Sequence, residues 1–336
     1  MRERDAAMTE AGADPVVRGL LHALQIDGRV SFSAVGEVLG VSDQTVARRY
    51  RRLHGTGSVR VTGLTWPGSA GEEHWLVRVG CAPDAAAGLA RGLAQRPETE
   101  WVQLVSGGAE ILCMVRTRDA VGGRAATVFS RLPRSPRVTR LDAHEILHVF
   151  AGGQNSPLVK RGPLSAEQVA RLSAGVPAAV PGSRTEGPRA GDAPLLAELA
   201  RDGRAGFREL SAATGWSPTA VRRRVNELRR SGGLYFDVDF SPALLGLSCE
   251  AALWLSVAPA DLPAAGAALA GHPEVAFAAA TTGPTNLYTS VQVRDARALY
   301  AYLTGPVAAL PGVRDVQTAP VLQTLKRTST QTERGV

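Results

Sequence analysis

The sequence predicts an α+β chain assembled from two winged-type helix-turn-helix domains and two ferredoxin-like βαββαβ domains. Three observations carry this prediction. The stretch 42–53, SDQTVARRYRRL, returns as 217–228, SPTAVRRRVNEL. Around it Asp27 and Asp202, Gly28 and Gly203, Phe32 and Phe207, Gly40 and Gly215, Val46 and Val221, and Leu53 and Leu228 share one constant spacing of 175 residues, with no gap. Each copy is followed by strand and helix patterns in the order βαββαβ, where Gly107 answers to Gly283 and Arg118-Asp119-Ala120 to Arg294-Asp295-Ala296 at a spacing of 176. Solenoid units recur every 20 to 50 residues, so a period this long marks a duplicated pair of domains.

In the first half, Asp14-Pro15 reads as an N-cap with proline at the first helical position. Val16, Val17, Leu20, Leu21 and Leu24 then form a helical apolar stripe. Asp27-Gly28-Arg29 turns the chain, a short helix covers 33–39, Gly40 breaks it, and Ser42 caps a third helix. Helix, short helix, turn and basic helix is the helix-turn-helix order. Residues 58–63 alternate like a strand. Strands at 75–79, 101–105, 111–115 and 138–148, with helices at 83–95 and 119–132, complete the first βαββαβ pattern.

The second half repeats the order, with strands at 252–257, 275–280, 287–293 and 313–325 and helices at 261–270 and 295–310. The expected domains are therefore 14–63 and 193–240 for the heads, and 72–150 and 248–327 for the βαββαβ folds. Between the halves, 151–192 holds one short helix at 165–172 and the run VPAAVPGSRTEGPRAGD. That composition predicts a flexible linker, free to let the second head find its own place.

The net charge of +7 and a pI near 9.9 come almost wholly from arginine and favour a polyanionic partner. The three cysteines form no CxxC pair, so neither a disulfide framework nor a metal site is expected. The charged N-terminus has no apolar core of the kind a secretory leader needs. No apolar run reaches the roughly 20 residues of a membrane span. A cytoplasmic protein with no membrane partner is the expectation.

Within the third helix Val46, Tyr50 and Leu53 form the inward stripe, as do Val221, Val225 and Leu228 in the second copy. The opposite face is basic. Between Gln44 and His54 stand four arginines and no acid. The expected contacts with double-stranded DNA are Ser42, Gln44, Thr45, Arg48, Arg49, Arg51 and Arg52 in the first head. In the second they are Ser217, Thr219, Arg222, Arg223, Arg224 and Asn226. Early residues of such a helix reach base edges, so Gln44, Thr45 and Arg48 are the base readers, with Arg49 and Arg224 placed for phosphates.

The run DGRAGFRELSAATGWSPTAVRRRVNELRRSGGL at 202–234, then FDVDFSPALLGL at 236–247 and TTGPTNLYTSVQVRD at 281–295, resembles the Lrp/AsnC (feast/famine) family of transcriptional regulators. The cover is nearly the whole chain, taken twice. The resemblance implies that the βαββαβ domains pair and that a small effector, an amino acid or related metabolite, binds near glycine loops. Those loops hold Gly107, Gly108, Ala109 and Glu110 in the first half and Gly283, Pro284, Thr285 and Asn286 in the second. Glu110 and Asn286 stand where family loops commonly carry aspartate. Relatives commonly carry one head per chain and dimerise, so the two βαββαβ domains are expected to pair as a pseudo-dimer within the chain, able to assemble further into homo-oligomers.

His144-Glu145-Ile146-Leu147-His148 matches HExxH, which binds zinc only on a helix. Here it falls on a strand, where the histidines stand about 13 Å apart at ~3.3 Å per residue. No metal, cofactor or catalytic residue is therefore expected. The enzymatic alternative is a sirohaem decarboxylase, which resembles the same architecture. It would need histidines in a tetrapyrrole pocket, for which His74, His144, His148 and His272 are the available residues.

Overall fold

In the computed structural model of the protein, the described residues are 14–65, 72–118, 136–152, 162–176, 188–327 and 330–331. The first half runs α1 (Pro15–Ile26), α2 (Phe32–Leu39), α3 (Asp43–Gly55), β1 (Val59–Leu64), β2 (Glu72–Cys81), α4 (Pro83–Ala94), β3 (Thr99–Val105), β4 (Glu110–Arg118) and β5 (Val138–Ala151). The helix expected at 119–132 lies outside the described residues. After α5 (Ala166–Ser173) the order returns as α6 (Ala193–Arg201), α7 (Phe207–Thr214), α8 (Pro218–Arg230), β6 (Tyr235–Phe240), β7 (Cys249–Val257), α9 (Leu262–Gly271), β8 (Val275–Thr281), β9 (Leu287–Val293), α10 (Ala296–Tyr302) and β10 (Val313–Arg327), with β11 (Thr330–Gln331) last. α10 stops short of the expected Leu310 because a wide turn over Leu303–Val307 carries Pro306, which has no N–H to continue the ladder.

These elements form two compact units, each drawing on both halves. One combines Met1–Ala70 with Gly153–Leu247, the other Gly71–Gly152 with Ser248–Val336.

In the head unit, both three-helix sets share one apolar core, in which Leu20, Leu21, Leu24, Val46, Leu195, Leu199, Val221 and Leu228 are fully buried. Each such aliphatic side chain contributes about 1.5–3 kcal/mol. Asp14 caps α1 by accepting from the Val16 and Val17 amides. Ser42 and Ser217 cap α3 and α8 through the amides of Thr45 and Ala220, each at 3.2 Å. Gly40 and Gly215 take left-handed φ values of 68° and 73°, which glycine adopts without penalty, and so make the sharp turn between the second and third helices. Each head ends in one strand, and the two strands pair with each other: β1 runs antiparallel to β6 from Val59↔Phe240 to Leu64↔Tyr235.

The linker reading needs correction at two points. Residues 162–176 are ordered against the first head: Leu164 and Leu172 enter the shared core, the Leu164 amide donates to His22 Nδ1 at 3.3 Å, and Gln168 Nε2 donates to the Val38 carbonyl at 2.8 Å. Two leucines and one glutamine suffice because they meet a surface already built. The second head, moreover, is not free to find its own place, since it shares a core and a strand ladder with the first.

In the other unit eight strands close into a ring in the order β10-β3-β4-β2-β5-β8-β9-β7, with β7 returning to β10, while β11 folds back on β10. The closure depends on the two long strands. β5 pairs with β2 of its own half and then with β8 of the other; β10 pairs with β7 and then crosses to β3. Helix α4 packs over one arc, and α9 and α10 over the other. Leu76, Val105, Leu112, Ala252, Trp254, Tyr288 and Ala319 cluster between the arcs.

Candidate nucleic-acid interface and effector loops

The inward stripes of α3 and α8 fix what the rest of each helix presents. Val46, Tyr50 and Leu53, and Val221, Val225 and Leu228, are buried, leaving Ser42, Gln44, Arg48, Arg51 and Arg52 exposed on the first head and Ser217, Thr219, Arg222 and Arg223 exposed on the second. Thr45 and Asn226 lie half-buried at the margins. The two faces differ in charge. In the second, Glu227 stands where the first has Arg52, 3.5 Å from Arg223. Arg222 also lies over the Phe207 ring at 4.8 Å.

Two of the expected phosphate contacts are otherwise engaged. Arg49 Nε lies 2.8 Å from Asp14, the residue that caps α1. Arg224, only 11% exposed, grips both carboxylate oxygens of Asp192 at 2.7 and 2.9 Å and reaches Glu227 at 3.2 Å. The helix itself offers Arg49 no acid, but the fold brings one from a distant turn. Arg224 is therefore a fastening of α8 to the start of α6 rather than part of the exposed face.

Burial alone would raise the Asp192 carboxyl. The hydrogen bonds from Arg224, the Arg189 amide and the neighbouring guanidinium charges outweigh it and hold Asp192 below the usual carboxylate range. A carboxyl depressed in the folded state adds stability above its unfolded pKa, near 3.9, and loses it as pH falls through the folded value. Arg224→Ala strips the buried Asp192 carboxylate of its bidentate charged partner, leaving it the Arg189 amide, and is expected to destabilise the head unit by ~3–5 kcal/mol. Urea unfolding at pH 7 and again near pH 3 tests this, because the deficit should shrink in acid; a deficit independent of pH contradicts it.

A fastening that sequence reading missed joins the heads. Arg29 donates to the Gly203 carbonyl at 2.6 Å and to Ala205 at 2.9 Å. Arg204 donates to Gly28 at 2.6 Å and to Val30 at 2.9 Å. The two arginines are themselves equivalents at the spacing of 175, so the clasp is reciprocal. Arg29 also lies over Phe207 and Phe236, and Arg204 over Phe32 and Tyr50. The repeated DGR turn was the visible signal; its partners were not.

The glycine loops follow β3 and β8. In the first, Glu110 is bound by Arg78 at 2.7 and 3.3 Å and by the Ser106 hydroxyl at 3.2 Å. Arg78 in turn lies 3.9 Å from the Trp254 ring centroid. Gly107 and Gly108 are left-handed, and Ala109 is exposed. In the second, Gly283 is left-handed and Pro284 exposed, whereas Thr285 is buried and the Asn286 amide closes on both backbone groups of Val257 at 2.9 Å. Glu110 and Asn286 are thus both engaged within the protein, chiefly by Arg78 and Val257 on neighbouring strands.

HExxH lies within β5, as its strand pattern implies. His144 Nδ1 is 2.8 Å from the Thr282 carbonyl, and the His148 ring packs edge-on against Phe150. Among the described residues no group of three or more His, Cys, Asp or Glu side chains is placed to hold a metal ion, and no helix is long and apolar enough to cross a membrane.

Comparison with known proteins agrees with this anatomy. The family model for the AsnC-type helix-turn-helix domain matches twice, at residues 16–54 and 191–229, and that for the Lrp/AsnC ligand binding domain matches 250–331. The HTH-type transcriptional regulator FL11 of Pyrococcus horikoshii is 29% identical over 139 residues, covering 41% of this chain and 91% of its own length. The regulatory protein AsnC of Escherichia coli is 30% identical over 135 residues, covering 39% of this chain and 88% of its own. Over 92% of this chain and 93% of the other, the fold also resembles the siroheme decarboxylase NirDL, with a TM-score of 0.56 and 11% identity. At that identity the likeness speaks for fold alone.

Proposed function

Because the chain belongs to the Lrp/AsnC family of transcriptional regulators, we propose that it binds one asymmetric DNA site with both heads at once, without catalysing a reaction. The carrying observation is the pair of unlike basic faces held in one unit by the Arg29–Arg204 clasp. The first head reads with Gln44, Thr45 and Arg48 and meets phosphates with Arg51 and Arg52. The second reads with Thr219, Arg223 and Asn226, with Arg222 beside them; Ser42 and Ser217 start the two helices at the groove. Half-sites about one helical turn apart, or a multiple of it, suit two such heads. A small effector at a glycine loop is the proposed modulator.

The non-catalytic reading is supported by where the histidines are used. His74 sits against Glu100 at 3.3 Å, His144 against Thr282, His148 against Phe150, and His272 against the Tyr302 hydroxyl at 2.9 Å. Each of the four thus has a protein partner of its own.

Selection from a random duplex pool with the full chain is the test. The expected product is a non-palindromic site in which Arg48→Ala relaxes one half and Arg223→Ala the other, each by about 1–3 kcal/mol at the base concerned. A palindrome, or no preferred sequence, overturns the proposal.

A further inference from the structure

We propose that His144 of the first half plugs the second half's glycine loop, leaving the chain one open effector loop, Ser106–Glu110, that takes a small carboxylate with an apolar tail. This rests on the effector reading above and narrows it.

Gly107 and Gly283 are equivalents at the spacing of 176, yet their surroundings are opposite. A Cβ added at Gly283 would stand 2.3 Å from His144 Nδ1 and 2.5 Å from its Cε1, so the imidazole already fills the face that a glycine loop leaves bare. The ring is fastened there. A carbonyl oxygen only accepts, so the 2.8 Å contact makes Nδ1 the donor to Thr282. The adjoining backbone completes the lock: the Glu145 amide donates to Thr282 Oγ1 and the Thr282 amide to the Glu145 carbonyl, both at 2.9 Å. Asn286 and the buried Thr285 close the other side.

The first loop has no such plug. The equivalent of His144 is Ala319, a buried methyl group. A Cβ at Gly107 would meet nothing within 4 Å, and one at Gly108 only Leu322 Cδ2 at 3.5 Å. Leu322 itself is 65% exposed, a large apolar side chain beside an open loop. Ser106, Gly107 and Gly108 take left-handed φ values of 54°, 71° and 88° and Ala109 returns to −88°, a change of hand of the kind that turns neighbouring backbone N–H groups toward an anion. Left-handed φ at the non-glycine Ser106 is a local strain of the kind that accompanies binding loops. Glu110, the one acid of the loop, is consumed by Arg78 and Ser106, so a ligand's ammonium group finds no unengaged carboxylate there. The loop is thus suited to the carboxylate and tail of its ligand and indifferent to an α-amino group.

Hydrogen exchange read by mass spectrometry on the full chain tests both parts, using L-leucine and its 2-oxo analogue, 4-methyl-2-oxopentanoate, as probes. Without probe, His144→Ala is expected to speed exchange over 281–286 by about ten-fold, the loss of roughly one hydrogen bond, while leaving 104–110 unchanged. With probe, protection falls on 104–110 alone in the wild type, to a similar degree for both compounds, and extends to 281–286 in the variant. Unchanged exchange over 281–286 in the variant, or protection of that loop in the wild type, overturns the plug. Should neither probe protect either loop, the carboxylate assignment and the effector reading fall, while the probe-free comparison still judges the plug. If His144→Ala does not fold, 15N correlation spectra of wild-type histidine decide instead: a protonated Nδ1 on neutral His144 is expected, and the Nε2–H tautomer overturns the proposal.

Discussion

Arg204→Ala is expected to destabilise the head unit by about 3–5 kcal/mol, more than any single change on the recognition faces. The substitution strips the Gly28 and Val30 carbonyls of a charged donor, at roughly 1.5–3 kcal/mol for each such bond, and removes the guanidinium from the Phe32 and Tyr50 rings. Arg29→Ala should cost a similar amount through Gly203 and Ala205. Burial first, then repulsion from Arg204 and Arg229, pulls the Arg29 guanidinium down to about 10, so it stays charged at neutral pH. Lysine at either position should restore little, because one ammonium point cannot span two carbonyls as a planar fork does. Urea unfolding followed by tryptophan and far-UV signals checks this. Equal stability of Arg204→Lys and wild type would contradict the clasp.

DNA affinity should depend unequally on the two heads. Arg48, Arg51 and Arg52 are exposed, and no acid in α3 lies beside them after Asp43 in its first turn. Replacing all three with alanine is expected to reduce the slope of log affinity against log salt by up to about 0.9 for each phosphate no longer neutralised, that is by about 2 to 3. Removing Arg222 and Arg223 should reduce it by about 1, since Glu227 already faces Arg223 at 3.5 Å and repels a phosphate approaching the same turn. Glu227→Gln is then expected to steepen the wild-type slope by about 1, the share of a single phosphate. Anisotropy titrations on a duplex without a preferred site, at four salt concentrations, measure all three. An equal reduction from the two heads, or no response to Glu227→Gln, would show that Glu227 does not set the difference.

Much of this was legible in the residues because it is local. Ser42 and Ser217 announce their helices, Gly40 and Gly215 their turns, and the spacing of Val46, Tyr50 and Leu53 decides which face is left for arginine. Charge pairing was not legible, since α3 supplies Arg49 while the acid comes from Asp14, at the head of a different helix. The same holds for the loops. Gly283 is a recognisable turn glycine, but the ring that occupies it arrives on β5 of the other half, and no reading of 281–286 alone contains it. In the linker, proline and glycine dominated the composition, and Leu164 and Leu172 counted for little until the surface they meet was known.

The reciprocal clasp has a meaning for dosage. Two separate subunits must meet before their arginines can exchange carbonyls, and at low copy number that encounter sets a threshold. Here Arg29 and Arg204 belong to one polypeptide, whose covalent continuity makes the meeting of the heads intramolecular, whatever the number of molecules in the cell. On the two-headed reading proposed above, occupancy of a DNA site well below saturation rises with the first power of the amount of chain made rather than the second, and dilution takes no pair of heads apart.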